Sequence, residues 1–138
     1  MKTALRVAAG VFLSVTFIVS GAIKLKAPDR FLLDVEAFHL VPAWLAYGTA
    51  LVLPWVEVIG ALALWLPKWR RGAAFLLAAS TVSFIGALSI AEARGLDLEC
   101  GCFGDWLVFP SFGVHLLFNA VLLLSSVWLM FPTGRKTP

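Results

Sequence analysis

Long apolar runs alternate with short polar stretches along this chain. The runs cover residues 4–23, 43–66, 72–91 and 113–131. Each is about 20 residues long, which is the length of α-helix that crosses the hydrocarbon of a bilayer. Because a helix satisfies its backbone hydrogen bonds internally, it is the form that such runs take in lipid. The pattern therefore predicts four transmembrane helices.

The polar stretch 24–42 separates the first two runs, and its first charge is Lys24. Pro28 followed by Asp29 is a typical helix start. The apolar residues from Phe31 onward fall at helical spacing. We expect an outer loop that contains a short amphipathic helix at the membrane interface. A plain connecting loop is the alternative.

The first apolar run has a second interpretation. A basic start, an apolar centre and a small-residue end at Ser20-Gly21-Ala22 also fit a cleavable secretory signal peptide. The run is long for the apolar centre of a signal peptide, and the chain after it stays apolar. Both features favour a transmembrane helix.

Composition agrees with a membrane protein. The chain is 61% hydrophobic and 14% charged, whereas a soluble domain usually carries about 25% charged residues. No basic patch interleaved with aromatic residues is present, so no nucleic-acid partner is expected. Because the sequence shows no internal repeat, no low-complexity segment and no second domain, we expect residues 1–138 to form one domain. The predicted fold is an all-α, four-transmembrane-helix bundle with a short amphipathic interfacial helix between the first and second spans.

The distribution of basic residues predicts the orientation. The N-terminus, the middle turn and the C-terminal tail hold seven basic residues and no acidic one, namely Lys2, Arg6, Lys68, Arg70, Arg71, Arg135 and Lys136. The other two loops hold Lys24, Lys26, Arg30 and Arg94. By the positive-inside rule, both termini are cytoplasmic in the cytoplasmic (inner) membrane. The loop 96–112 then faces the oxidising periplasm or cell exterior.

This loop contains the two cysteines of the chain, Cys100 and Cys102, one residue apart. A disulfide between them closes so short a loop that it would stabilise the fold little. Strained, exposed disulfides exchange readily. The spacing favours Cys100 and Cys102 as a catalytic pair for thiol–disulfide exchange over a structural staple. Metal binding by the two thiolates is a minor alternative, because the spacing fits no standard zinc pattern, and we expect no metal.

Four polar residues inside the spans form a second candidate group. Glu57 is ionisable, and such residues usually face the interior of a helix bundle. Ser14 and Ser83 lie at a similar depth, so we expect them to hydrogen-bond the neutral acid of Glu57. One interpretation of this cluster is a functional site, such as a proton relay or a binding site for a quinone head group. The other is a set of hydrogen bonds that only holds the helices together. Asn119 is the polar residue of the fourth span, and we expect it to hydrogen-bond between helices rather than to take part in a reaction.

Many of these residues occur in an order that matches one family. They are Gly21-x-x-Lys24-Leu25, Phe31, Phe38, Leu40-Val41-Pro42, Leu53-Pro54-x-x-Glu57-x-x-Gly60, Arg94-Gly95, Cys100-Gly101-Cys102-Phe103-Gly104 and Asn119. In this order the chain resembles the methylamine-utilisation protein family MauE and its DoxX-like relatives, which are small four-helix membrane proteins. The resemblance runs over nearly the whole chain, and the cysteine block is its most specific part.

The resemblance implies a redox-associated membrane protein. It implies that Cys100 and Cys102 form the redox pair, that Glu57 belongs to a site, and that a thioredoxin-like partner and an exported client of the methylamine dehydrogenase type take part. Our first hypothesis is therefore a thiol–disulfide exchange component, with a quinone as one candidate electron carrier. The alternative is a non-enzymatic accessory or assembly subunit of a larger homo- or hetero-oligomeric membrane complex. A small transporter has little support, since Glu57 alone does not indicate a route for a substrate through the membrane.

Overall fold

The computed structural model describes residues 1–95 and 112–131, and over these ranges the ordered elements are all helical. The helices are α1 (Lys2–Lys26), α2 (Pro28–Ala37), α3 (Ala43–Ala63), α4 (Arg70–Ala93) and α5 (Phe112–Met130). The helices α1, α3, α4 and α5 are long and apolar enough to cross a membrane. The prediction of an all-α protein with four spans and a short extra helix is confirmed.

The largest differences between the helices and the apolar runs are at the ends of α1 and α3. Helix α1 continues past residue 23 to Lys26, so Lys24 belongs to a helix and not to the outer loop in which we expected it. Helix α3 ends at Ala63, and a series of turns then leads through Pro67 into α4. Proline at this point cannot continue a helix.

The four long helices form a closed ring. Helix α1 packs against α3, α3 against α4, α4 against α5, and α5 returns to α1. Successive long helices run in opposite directions, so α1 and α4 end at the same side of the bundle at which α3 and α5 begin. The core is made of small, branched and aromatic apolar residues, namely Leu13, Phe17, Ala61, Leu64, Ala73, Ala74, Leu77, Leu122 and Leu129. Small residues let transmembrane helices approach closely.

Helix α2 lies against α3 and also touches α1. Pro28 stands in its first turn, where the missing N–H of proline costs no helical hydrogen bond. Phe31 is its one buried residue, while Leu33 is 65% exposed. The helix is thus attached to the bundle through a single aromatic anchor.

Arginine side chains cap the helix ends at the side where the chain begins. Arg6 donates to the carbonyl oxygens of Trp128 (3.2 Å) and Phe131 (3.0 Å). Arg71 Nε donates to Met130 O at 3.0 Å. The last carbonyl groups of a helix have no partner within the helix and carry partial negative charge, so cations stabilise them. These bonds tie α1, α4 and α5 together at this end.

Candidate functional site

A buried ion pair lies between α1 and α3. Lys24 Nζ is 2.7 Å from Glu57 Oε1, and each side chain is only 1% exposed. Placing either charge alone in an apolar interior is costly, and pairing with a hydrogen-bonded partner offsets this cost. Glu57 is therefore balanced by a lysine of its own chain, at a position where the sequence pattern predicted a loop.

A close crossing of α1 and α3 brings the two charges together. A Cβ atom added to Gly21 would lie 2.6 Å from Val58 Cγ2 and 2.9 Å from the backbone oxygen of Pro54. Only glycine permits this approach. Lys24 follows one helical turn after Gly21, and side chains in a helix lean toward its N-terminus. The lysine therefore reaches back along α1 to Glu57 on the facing helix.

The second carboxylate oxygen of Glu57 also has a partner. Ser20 Oγ donates to Glu57 Oε2 at 3.3 Å. Ser20 and Lys24 are four residues apart in α1, so they lie on the same face of the helix. Both oxygens of the carboxylate are thus held by α1.

Two aromatic rings cover the ammonium group of Lys24. Its Nζ atom lies 4.9 Å from the ring centre of Phe31 in α2 and 4.6 Å from that of Phe84 in α4. A cation within about 6 Å of a ring face is attracted by the ring's electrons. Lys24 consequently joins four helices, since it belongs to α1, pairs with α3 and touches α2 and α4.

A small cavity lined by both polar and aromatic side chains lies beside Glu57. Its lining includes Ser20, Glu57, Thr81, His115 and Asn119, contributed by all four long helices. Its volume is about 20 Å³, which is the space of one water molecule. Asn119 Nδ2 donates to His115 O at 2.9 Å, and Thr81 Oγ1 to Leu77 O at 2.8 Å. The polar group around Glu57 is therefore larger than the sequence indicated.

Ser14 and Ser83 do not bond to Glu57, and this part of our expectation is wrong. Ser14 Oγ donates to Ala61 O at 3.1 Å and accepts a hydrogen bond from Trp65 Nε1 at 2.9 Å. Ser83 is exposed and donates to Ala79 O at 2.9 Å. Ser14 lies nearly two turns away from Ser20 toward the start of α1, and Ser83 faces outward from α4. The two serines were expected at a similar depth in the membrane to Glu57, but they do not lie on the helix faces that meet it.

An apolar groove opens between α2, α3 and α4, with a volume of about 470 Å³. Phe31 and Phe84 line it, and the same two rings cover Lys24. Leu53 and Val56 of α3 add to its apolar wall. The rings thus separate this groove from the ion pair.

Lys24 and Ser20 were not among the site residues predicted from the sequence. The signal for them was present in the periodicity of α1. Its buried residues include Leu13, Phe17, Ser20, Gly21 and Lys24, which follow one helical face to the end of the helix. Extending that period past residue 23 would have placed Lys24 in the interior.

The predicted redox pair, Cys100 and Cys102, lies outside the described residues. The described residues that flank this segment are Gly95 after α4 and Phe112 at the start of α5. Among the described residues, no group of three or more histidine, cysteine or acidic side chains is placed to hold a metal ion.

These features define a class, a multi-pass helical membrane protein whose helices converge on a buried lysine–glutamate pair. The family model described as methylamine utilisation protein MauE matches residues 1–132. The chain belongs to this MauE family. The sequence resembles the family at Lys24 and Glu57, which form the ion pair. It also does so at Gly21 and Pro54, which lie beside that pair.

Three relatives agree with this assignment, each described as methylamine utilization protein MauE. The chain is 33% identical to the Paracoccus denitrificans protein over 125 residues, 34% to the Methylophilus methylotrophus protein over 95, and 42% to the Methylorubrum extorquens protein over 91. These regions cover 90%, 68% and 64% of the chain. They cover 66%, 50% and 49% of the relatives, so the chain spans about half to two thirds of their length. No solved structure matches the chain.

Proposed function

We propose that this protein is the membrane component of a thiol–disulfide exchange system that helps an exported protein to form its disulfides. The observation that carries the proposal is the Cys100-Gly101-Cys102 sequence, which holds both cysteines of a chain that belongs to the MauE family. The client would be a protein of the methylamine dehydrogenase type, and a thioredoxin-like protein would be the partner. The names of the relatives support a role in methylamine utilisation.

The proposed reaction is an exchange of one disulfide for another. A client thiolate attacks one sulfur of a Cys100–Cys102 disulfide, forms a mixed disulfide and releases the other cysteine as a thiolate. The second client thiolate then attacks the mixed disulfide, which leaves the client oxidised and Cys100 and Cys102 reduced. Two electrons and two protons have moved to this protein. An oxidised thioredoxin-like protein or a membrane quinone would take them up and restore the disulfide.

We infer that the ion pair acts as a positioning element for this reaction. Lys24 holds α1, α2, α3 and α4 together near the side of the bundle at which α4 ends and α5 begins. The segment with Cys100 and Cys102 connects those two helices. The ion pair would thus keep the helix ends that flank Cys100 and Cys102 in fixed positions, which is what a defined site requires of its supporting elements.

The orientation in the membrane is part of the proposal. The side where the chain begins carries Lys2, Arg6, Lys68, Arg70 and Arg71 among the described residues. Because Lys24 is buried in an ion pair, the remaining basic residues of the opposite side in the described ranges are Lys26, Arg30 and Arg94. The asymmetry supports cytoplasmic termini in the inner membrane and an extracytoplasmic cysteine segment.

The experiment that tests the function is the trapping of a mixed disulfide in intact cells. Replacing only the resolving cysteine should leave the other one covalently bound to its partner. We therefore expect either Cys100→Ser or Cys102→Ser, but not the double variant, to give a higher-mass species on non-reducing gels. Reductant should abolish this species. Absence of a trapped species from both single variants would contradict the proposal.

A second readout separates exchange from an accessory role. An accessory subunit would keep its full effect on the client after both cysteines are replaced by serine. The exchange proposal expects that the double variant loses client oxidation while its abundance in the membrane stays unchanged. Retained client oxidation in that variant would favour the accessory subunit.

A further inference from the structure

The side of the bundle where the chain begins is purely basic in the described part of the chain. Its charged residues are Lys2, Arg6, Lys68, Arg70 and Arg71, while the acidic residues of the described ranges lie in α2, at Glu57 and near the end of α4. Such a surface attracts anions, and at a membrane the most abundant anions are lipid phosphates.

A cavity of about 220 Å³ lies within this basic side, between α1, α4 and the end of α3. Arg6 from α1 and Arg70 from α4 line it, together with Thr3, Trp65 and Leu129. Both arginines are half-buried. Two guanidinium groups from different helices thus border one concave space, with apolar side chains beside them.

The two arginines differ in how many of their donors are already used. Both terminal nitrogens of Arg6 bond to carbonyl groups at the end of α5. Arg70 uses Nε to bond Leu64 O at 3.0 Å. Within residues 1–95 and 112–131, neither Nη atom of Arg70 has a protein acceptor. Arg70 therefore presents two parallel donors, the geometry that binds phosphate oxygens in a bidentate manner.

The exposed tryptophans around the cavity indicate that it lies at the level of the lipid head groups. Trp65 lines it, and Trp69 and Trp128 belong to the same side of the bundle. Trp65 and Trp69 are 46% and 67% exposed. Exposed tryptophans in membrane proteins concentrate at the interface between hydrocarbon and water. At this depth the cavity is within reach of lipid phosphate groups, and the acyl chains of such a lipid would extend along the apolar sides of the helices.

We propose that this cavity binds the phosphate group of an anionic phospholipid. Arg70 supplies two donors to the phosphate oxygens, and Arg6 adds positive charge from α1. Val7, which lines the cavity and is 50% exposed, offers an apolar surface to the beginning of the lipid chains. The site is independent of Cys100 and Cys102 and stands whether or not the exchange function does.

The test is native mass spectrometry of the full chain in detergent, titrated with phosphatidylglycerol or phosphatidylcholine. We expect a saturable adduct with phosphatidylglycerol and a much weaker one with phosphatidylcholine, whose phosphate is accompanied by a choline cation that the two arginines repel. Because Arg70→Gln removes the two charge-assisted donors that face the phosphate, it should weaken phosphatidylglycerol binding by roughly 10-fold or more. Arg70→Lys keeps the positive charge but lacks the two parallel donors of arginine, so its affinity for phosphatidylglycerol should lie between those of the original chain and Arg70→Gln.

Lys68→Gln is the matched control, since it removes one positive charge from the same side but not from the cavity. It should change the affinity by less than about 2-fold. Equal losses from Arg70→Gln and Lys68→Gln would reduce the effect to diffuse surface charge and overturn the proposal. Thermal unfolding of each variant without lipid checks that the bundle is intact.

A final arm distinguishes the lipid from free phosphate. Inorganic phosphate at millimolar concentration should not displace phosphatidylglycerol, because it lacks the chains that contact the helices. Displacement at that concentration would show a site for a soluble anion and would overturn the assignment to a lipid.

Discussion

At the scale of single residues, the protein is organised by two opposite charges that its apolar interior tolerates only as a pair. Lys24 and Glu57 are both 1% exposed and 2.7 Å apart. Removing one partner of a buried pair leaves the other charge uncompensated, whereas removing both leaves only a packing change. The pair therefore behaves as one unit, and neither residue can be assigned a separate contribution.

The first prediction follows from this coupling. Glu57→Gln and Lys24→Gln should each lower the free energy of unfolding by about 3–5 kcal/mol, because each strands a buried charge. The double change Lys24→Met with Glu57→Leu should recover most of the loss. The measurement is unfolding of the purified protein in mixed detergent micelles. If the double variant instead lost as much stability as the two single variants together, the two residues would not be a coupled pair.

Ser20→Ala provides a graded comparison at the same site. It removes one hydrogen bond to Glu57 Oε2 and leaves the ion pair. A cost of roughly 1 kcal/mol is expected, since hydrogen bonds between membrane helices are usually worth that or less. A loss as large as that from Glu57→Gln would mean that Ser20, and not Lys24, is the main partner.

At the scale of helices, the crossing of α1 and α3 decides whether the charges meet. Gly21 stands where the helices are closest, with the Pro54 backbone directly opposite. A flexible side chain can move away from an added methyl group, but a backbone oxygen moves only with its helix. The crossing is therefore sensitive to one carbon atom.

The second prediction concerns this crossing. Gly21→Ala should destabilise the bundle by about 1–3 kcal/mol, as overpacking of a tight contact does. Gly86→Ala in α4 is the control, because nothing lies within 4 Å of its added Cβ. That change should be neutral or stabilising by up to about 1 kcal/mol, owing to the better helix propensity of alanine. Both values come from the same unfolding assay.

The third prediction concerns α2, which is attached mainly by Phe31. Phe31→Ala removes the buried ring that covers Lys24, so α2 should loosen while α1 and α3 stay packed. Hydrogen exchange of residues 28–37 should accelerate at least about 10-fold, with little change in the core of α1. Leu33→Ala, at an exposed position of the same helix, should leave exchange unchanged. Uniform acceleration across all helices would show that Phe31 holds the whole bundle and not α2 alone.

At the scale of the whole molecule, the ring of four helices has two chemically different sides. One is basic and carries the arginine caps, and the other carries α2, its acidic residues and the flanks of the cysteine segment. A membrane potential and anionic lipids act differently on two such sides. The asymmetry underlies both the proposed orientation and the proposed lipid site.

The fourth prediction tests the orientation. In a chain whose two cysteines are replaced by serine, Glu36→Cys should react with a membrane-impermeant thiol reagent in intact cells. Lys68→Cys should react only after the membrane is permeabilised. Both positions are exposed, so unequal reactivity reports sidedness and not burial. The reversed pattern would place the cysteine segment in the cytoplasm and remove the oxidising environment that the exchange proposal needs.

Much of the fold follows from the sequence alone. The length and spacing of the apolar runs determined four helices, and the helical period after Pro28 determined α2. These features depend on local chemistry, because apolar length fixes what spans a bilayer and proline fixes where a helix starts. The cysteine pair and the family resemblance also needed no coordinates.

The tertiary structure alone decided which polar residues share the interior. Depth along a span can be counted from the sequence, but the rotation of each helix depends on packing against its neighbours. That rotation directs Ser14 to Trp65 and turns Ser83 outward. The contact at Gly21 brings Lys24 to Glu57. From the sequence pattern, a lysine near the end of an apolar run is assigned to a loop. Helix packing can instead place it in the interior, because a carboxylate on the facing helix offsets the cost of burying its charge.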